Sequence, residues 1–237
     1  HKGYGFSIYY IETGVFQHFR HDPRNPNSLR NDQVIAMYSD PKGIIWIGTN
    51  MGLERFDPKS GRFDHYDIKE AHISRKAAVS SIVQEPDGQL LMYVSGNKIV
   101  RFDPRNRTYR FLPITSALNI HIRINRGGVL YLDRKGYLWI GTEFEGLIRY
   151  HEKTGEIVRY NTKNSLLKSN VIMQIIEDSF GTVWVATDGG GLMEFDSKVN
   201  KPIIHQFDPK DPSSLSSNAV YSICETREGH LWVAAFS

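Results

Sequence analysis

The stretch Asp40-Pro41-Lys42-Gly43-Ile44-Ile45-Trp46-Ile47-Gly48-Thr49 decides how this chain is read, because its pattern comes back four times. The counterparts are EPDGQLLMYV (Glu85 to Val94), DRKGYLWIGT (Asp133 to Thr142), DSFGTVWVAT (Asp178 to Thr187) and TREGHLWVAA (Thr226 to Ala235). Their glycines stand at 43, 88, 136, 181 and 229, at spacings of 45, 48, 45 and 48. A period of that length belongs to propeller blades or solenoid repeats. Apolar residues alternate in short runs bounded by turn residues, with no sustained 3.6-residue rhythm, so strands are predicted and helical repeats disfavoured.

Working outward, one blade reads as four strands: Val34 to Ser39, Ile44 to Thr49, Gly52 to Asp57 and Arg62 to Tyr66. Asp40-Pro41-Lys42-Gly43 forms the first turn, with proline where φ is already fixed and glycine where φ turns positive. Polar linkers follow the outer strands: His21 to Val34, Asn161 to Ile172 and Asp208 to Val220. They share S-L-x-x-N/D-x-V/I, which is expected to tuck Leu29, Leu166 or Leu215 into the seam while Ser and Asn satisfy loop backbone groups. Gly5 to Phe19 matches strands three and four, and Val220 to Ala235 matches strands one and two. The expectation is an all-β propeller region over 1–237, with a half blade 1–33, blades 34–78, 79–126, 127–171 and 172–219, and a half blade 220–237. The two halves could combine into a five-bladed ring. Since propellers run from about 4 to 8 blades, the preferred expectation is a segment of a larger, seven-bladed array.

Composition fits an ordinary globular protein: 237 residues, 40% hydrophobic and 23% charged, with 12 Phe, 12 Tyr and 4 Trp. A net charge of +3 with scattered basic residues gives no reason to expect nucleic acid. The single cysteine, Cys224, allows no intrachain disulfide and no cysteine-based zinc site. No run of about 18 apolar residues is present. The opening His1-Lys2-Gly3-Tyr4-Gly5 lacks a signal peptide's character and an initiator Met, so upstream sequence is expected.

The repeat resembles the two-component regulator propeller repeat, N-x-V-x-x-I-x-x-D-x-x-G-x-L-W-I-G-T-x-x-G-L-x-x-F/Y-D. Asp40, Gly43, Trp46, Gly48, Thr49, Gly52, Leu53 and Phe56 carry the match. So do Asp133, Gly136, Trp139, Gly141, Thr142, Gly146, Leu147 and Tyr150, and a third copy runs from Asn170 to Asp196. Two departures stand out: Leu91 replaces the tryptophan, and Leu112 to Gly128 lacks the usual lead-in. The resemblance implies the periplasmic sensor region of a membrane-spanning hybrid histidine kinase of the kind gut Bacteroides use to respond to glycan fragments. It also implies a further propeller, an immunoglobulin-like domain, a transmembrane helix, kinase and receiver modules, often an AraC-type domain, and a homodimer in the intact protein.

Repeated residues mostly serve repeated packing. Trp46, Trp139, Trp184 and Trp232 are therefore expected to fill seams between blades rather than to stack on sugars. Asp40, Asp133 and Asp178 are expected to cap turns, since a calcium site needs six to eight oxygens. Catalytic and phosphate-loop signatures such as G-x-S-x-G, H-E-x-x-H and G-x-x-x-x-G-K are missing, and no metal or cofactor is expected. His18, His65 and His205 fall in fourth strands. Loop residues that break the repeat are the binding candidates: His121, Arg123 and Arg126 in the irregular third lead-in, and Glu143, Phe144, Glu145 and Asp188 after the second strands. Arginines make bidentate contacts to carboxylate or sulfate, which would suit an acidic oligosaccharide, and Phe144 offers a stacking face. The reading is a non-enzymatic, ligand-sensing segment. Two rivals stay open: a propeller lyase or glycoside hydrolase using Glu143, Glu145 and Asp188, and a protein-binding scaffold with an exposed apolar patch.

Overall fold

A computed structural model describes residues 4–70, 73–96, 98–114, 129–164, 166–195 and 201–236. These residues form the expected four-stranded antiparallel blades, each a meander in which every strand pairs with its neighbour in sequence. They group into two compact units, His1–Ala117 and Leu118–Ser237.

In the first unit, β1 (Phe6–Tyr10) and β2 (Val15–Phe19) make a two-stranded half blade. Blade one follows as β3 (Val34–Ser39), β4 (Ile45–Thr49), β5 (Gly52–Asp57) and β6 (Arg62–Tyr66). A short hairpin, β7 (Lys69–Glu70) with β8 (Ile73–Lys76), occupies the linker between blades one and two. Blade two is β9 (Val79–Gln84), β10 (Leu90–Val94), β11 (Lys98–Asp103) and β12 (Thr108–Phe111).

In the second unit, blade three is β13 (Val129–Leu132), β14 (Leu138–Gly141), β15 (Leu147–His151) and β16 (Glu156–Tyr160). Blade four is β17 (Ile172–Glu177), β18 (Val183–Thr187), β19 (Gly191–Phe195) and β20 (Ile203–His205). β21 (Ala219–Glu225) and β22 (Leu231–Phe236) form the last half blade. A β-bulge recurs near the start of β3, β17 and β21, where the register shifts between Val34 and Ala36, Ile172 and Gln174, and Val220 and Ser222. Bulges bend and twist the strand that carries them.

The core lies in seams between consecutive blades. Trp46, Leu53 and Tyr66 of blade one meet Val79, Leu90 and Phe102 of blade two. Trp139, Leu147 and Tyr160 of blade three likewise meet Val183, Met193 and Phe195 of blade four. Gly48 and Gly141 are glycines because the next blade's first strand passes directly over them. A Cβ on Gly48 would lie 2.3 Å from the Val79 carbonyl oxygen, and one on Gly141 would lie 2.5 Å from Ile172 Cγ2.

One expectation is corrected here. In the linker 161–172 the fully buried leucine is Leu167, with Leu166 only partly covered, so Leu167 and not Leu166 matches Leu29. Counting back from Ile172, the start of β17, places Leu167 five residues upstream, the same offset as Leu29 to Val34. Among the described residues no helix is long and apolar enough to cross a membrane.

Candidate functional site

The repeated polar residues are used up in holding each blade. Asp133 Oδ1 accepts the backbone N–H groups of Lys135 (3.0 Å) and Tyr137 (2.8 Å), while Oδ2 accepts Trp139 Nε1 (2.8 Å). Asp40 does the same for Lys42, Ile44 and Trp46, and Asp178 for Phe180, Thr182 and Trp184. One carboxylate thus closes the turn and satisfies a buried indole, which is why Asp and Trp occur together. In blade two Leu91 replaces the tryptophan and Glu85 the aspartate. Glu85 instead takes a bidentate contact from Arg101, with Nε at 2.6 Å and Nη2 at 2.8 Å. Among the described residues no three His, Cys, Asp or Glu side chains form a metal-binding group.

Between blades three and four, these fixed groups border a polar cavity of about 360 Å³ lined by Lys135, Tyr137, Arg149, Glu156, Glu177 and the Asp133–Trp139 pair. Arg149 extends from β15, donates to Glu156 Oε1 at 2.8 Å and lies 4.7 Å from the Tyr137 ring centroid. His151 covers Tyr137 as well, with ring centroids 4.8 Å apart. The Glu177 side chain is only 3% exposed, and its Oε2 accepts the Arg134 backbone N–H at 2.9 Å. Tyr160, fully buried, packs against Trp139 and Phe195 (ring centroids 6.3 and 5.0 Å), and its hydroxyl has no hydrogen-bond partner. Burial is the main reason its phenol is pushed above the usual tyrosine range. Arg149 pulls it down, while Glu156 and Tyr137 push it further up.

A second cavity of about 480 Å³ lies between blade four and the last half blade, bordered by Trp184, Leu192, His205, Asp211, Leu215 and Leu231. Here His205 occupies the register position of Tyr66 and Tyr160, and its Nε2 meets Glu194 Oε2 at 2.9 Å. His65 pairs with the buried Glu54 and also reaches the Pro26 carbonyl at 3.0 Å. His18 meets Ser7 Oγ at 2.7 Å. All three histidines are thus joined to groups of their own blades.

Of the binding candidates, His121, Arg123 and Arg126 lie outside the described residues. Glu143 is half-buried, Phe144 and Glu145 are exposed, and the Glu145 backbone N–H is fixed by Thr142 Oγ1 at 2.9 Å. Asp188 accepts the Tyr221 hydroxyl through Oδ2 at 3.4 Å, and its carbonyl accepts Ser169 Oγ at 2.6 Å. None of Glu143, Phe144, Glu145 and Asp188 lines either cavity. The residues that do make the first cavity polar were missed by looking only at loops. Its signal lay inside the repeat, where Tyr137, Glu156 and Glu177 replace Ile44, Arg62 and Ser39 of blade one.

The family model described as two component regulator propeller matches residues 28–51, 166–189 and 214–237. No curated protein matches the chain. Among solved structures, the extracellular domain of the hybrid two component system BT3049 from B. thetaiotaomicron aligns with TM-score 0.74 and 20% identity, over 99% of this chain and 30% of that one. The extracellular domain of BT4673 from the same organism gives TM-score 0.55 and 20% identity, over 98% of this chain and 36% of that one. PorZ, a surface component of the type-IX secretion system of Porphyromonas gingivalis, gives TM-score 0.64 and 19% identity, over 89% of this chain and 32% of that one. The chain spans about a third of the length of each of these proteins. At these identities the likeness establishes the propeller fold.

Proposed function

We propose, from the three repeats that match the two component regulator propeller model, that the chain is a ligand-sensing segment of the extracytoplasmic, periplasmic region of a hybrid histidine kinase responding to oligosaccharides. The three matched repeats carry this reading, and the likeness to extracellular domains of Bacteroides two-component systems supports it. In this proposal the segment performs no chemistry. Its Asp–Trp pairs are committed to packing, Glu145 faces solvent, and Asp188 is tied to Tyr221. A ligand would act by differential affinity, favouring one arrangement of the intact sensor, a homodimer in this reading, over another and passing that difference to the next domain.

The test is a thermal shift of the protein against neutral, uronic and sulfated oligosaccharides. Ligand at about 100 times its Kd adds roughly 2.7 kcal/mol of stability, so a specific glycan is expected to raise the melting temperature by several degrees. If no member of the panel does so, direct glycan sensing by this segment is wrong.

A further inference from the structure

Resting on the sensor reading above, we propose that the cavity between blades three and four is a site for a single neutral sugar ring, held by hydrogen bonds donated by Lys135 and accepted by Glu156 and Glu177 rather than by stacking.

Four observations lead there. First, size: about 360 Å³ is at the small end of ligand pockets, which run from about 300 to 1,000 Å³. It admits one ring or the end of a chain, with no room for an extended oligosaccharide.

Second, chemistry. Lys135 and Arg149 supply donors, and Glu156 and Glu177 supply acceptors, the mixture that a ring of hydroxyls, each both donor and acceptor, can satisfy. Stacking is closed off, because Arg149 and His151 cover Tyr137, and Trp139 is 2% exposed against Phe195.

Third, charge. The lining holds two cations and three carboxylates, Asp133, Glu156 and Glu177. The Arg149 guanidinium is already bonded to Glu156, so a uronate or sulfate would meet one lysine and a surplus of negative charge. A neutral ligand faces no such penalty.

Fourth, departure from the repeat. Two of the groups that make the cavity polar do not repeat: Tyr137 and Glu156 stand where blade one has Ile44 and Arg62. Packing common to all blades does not require them.

Calorimetric titration of the full chain with D-glucose, D-galactose, D-mannose, D-galacturonate and D-glucosamine, alongside the oligosaccharide panel, tests this. A neutral monosaccharide is expected to bind, galacturonate at least tenfold more weakly, and Lys135→Ala and Glu156→Gln are each expected to weaken binding about tenfold while leaving the melting temperature of the free protein within a few degrees. If an oligosaccharide binds but Lys135→Ala and Glu156→Gln leave its affinity unchanged, the sensor reading stands and this site is wrong. Preferential binding of galacturonate or glucosamine overturns the assignment to a neutral ring. If no sugar of any kind binds, both fall.

Discussion

Removing the carboxylate of Asp133 is the most informative single change to the fold. Asp133→Ala deletes three hydrogen bonds at once: two turn N–H groups, of Lys135 and Tyr137, and the indole of Trp139, itself 2% exposed. A buried donor left without a partner costs about 1–3 kcal/mol, and bonds to a charged acceptor are worth about 1.5–3 kcal/mol each. The turn N–H groups can recover water because Lys135 is exposed and Tyr137 half-buried, whereas the indole cannot. The expected loss is therefore about 3–4 kcal/mol, dominated by the indole. Asp133→Asn separates the two parts: its amide oxygen can still serve the turn, but its NH₂ then faces the indole N–H, donor against donor, and the loss falls to about 2 kcal/mol. Urea unfolding followed by tryptophan fluorescence reads both. In a Trp139→Phe background, where no indole donor remains, Asp133→Asn is expected to cost less than about 0.5 kcal/mol, a coupling of more than about 1 kcal/mol. A loss below about 1 kcal/mol for Asp133→Ala, or the same loss in both backgrounds, would refute the claim that one carboxylate holds turn and seam together.

Three other outcomes are expected. Glu177 and Glu225 each accept the backbone N–H following the preceding blade's aspartate, Arg134 at 2.9 Å and Ser179 at 2.8 Å. Glu225→Ala should therefore lower stability by about 1–2 kcal/mol, while Gln84→Ala should cost much less, since Pro41 offers no N–H there. Denaturant titration compares them. Gly48→Ala forces a Cβ to 2.3 Å from the Val79 carbonyl oxygen and is expected to cost about 2–3 kcal/mol, against little for Ala186, the alanine that blade four already carries there. Burial raises the phenols of Tyr93, Tyr66, Tyr131 and Tyr160 above their ordinary value near 10. Their stabilising contribution is complete below pH about 10 and is lost as pH climbs through the raised folded values. Melting temperature should thus fall steeply above pH about 10, and Tyr93→Phe should soften that fall.

The blades were legible because the signal is redundant. Turn glycines, alternating apolar strands and the Asp…Trp pair recur at one spacing, and each instance supports the others. The leucine of the linker was misplaced by one residue because Leu166 and Leu167 are adjacent and only the distance to the strand start distinguishes them. The bulges in β3, β17 and β21 have no marker residue, since they arise from how the strand must twist to meet its neighbour. The cavity was illegible for a different reason. Its lining comes from five segments, Asp133 to Trp139, Arg149, Glu156, Glu177 to Val183, and Phe195, which only the stacking of two blades brings together. Departures within the repeat, and not only between repeats, were the overlooked clue.

The most direct test of the sensor account titrates the protein with the oligosaccharide panel in a calorimeter and then analyses the recovered sugar by chromatography. The account predicts saturable heat for one glycan class and recovery of that sugar unchanged. Cleaved product, or the absence of saturable heat across the whole panel, would contradict it.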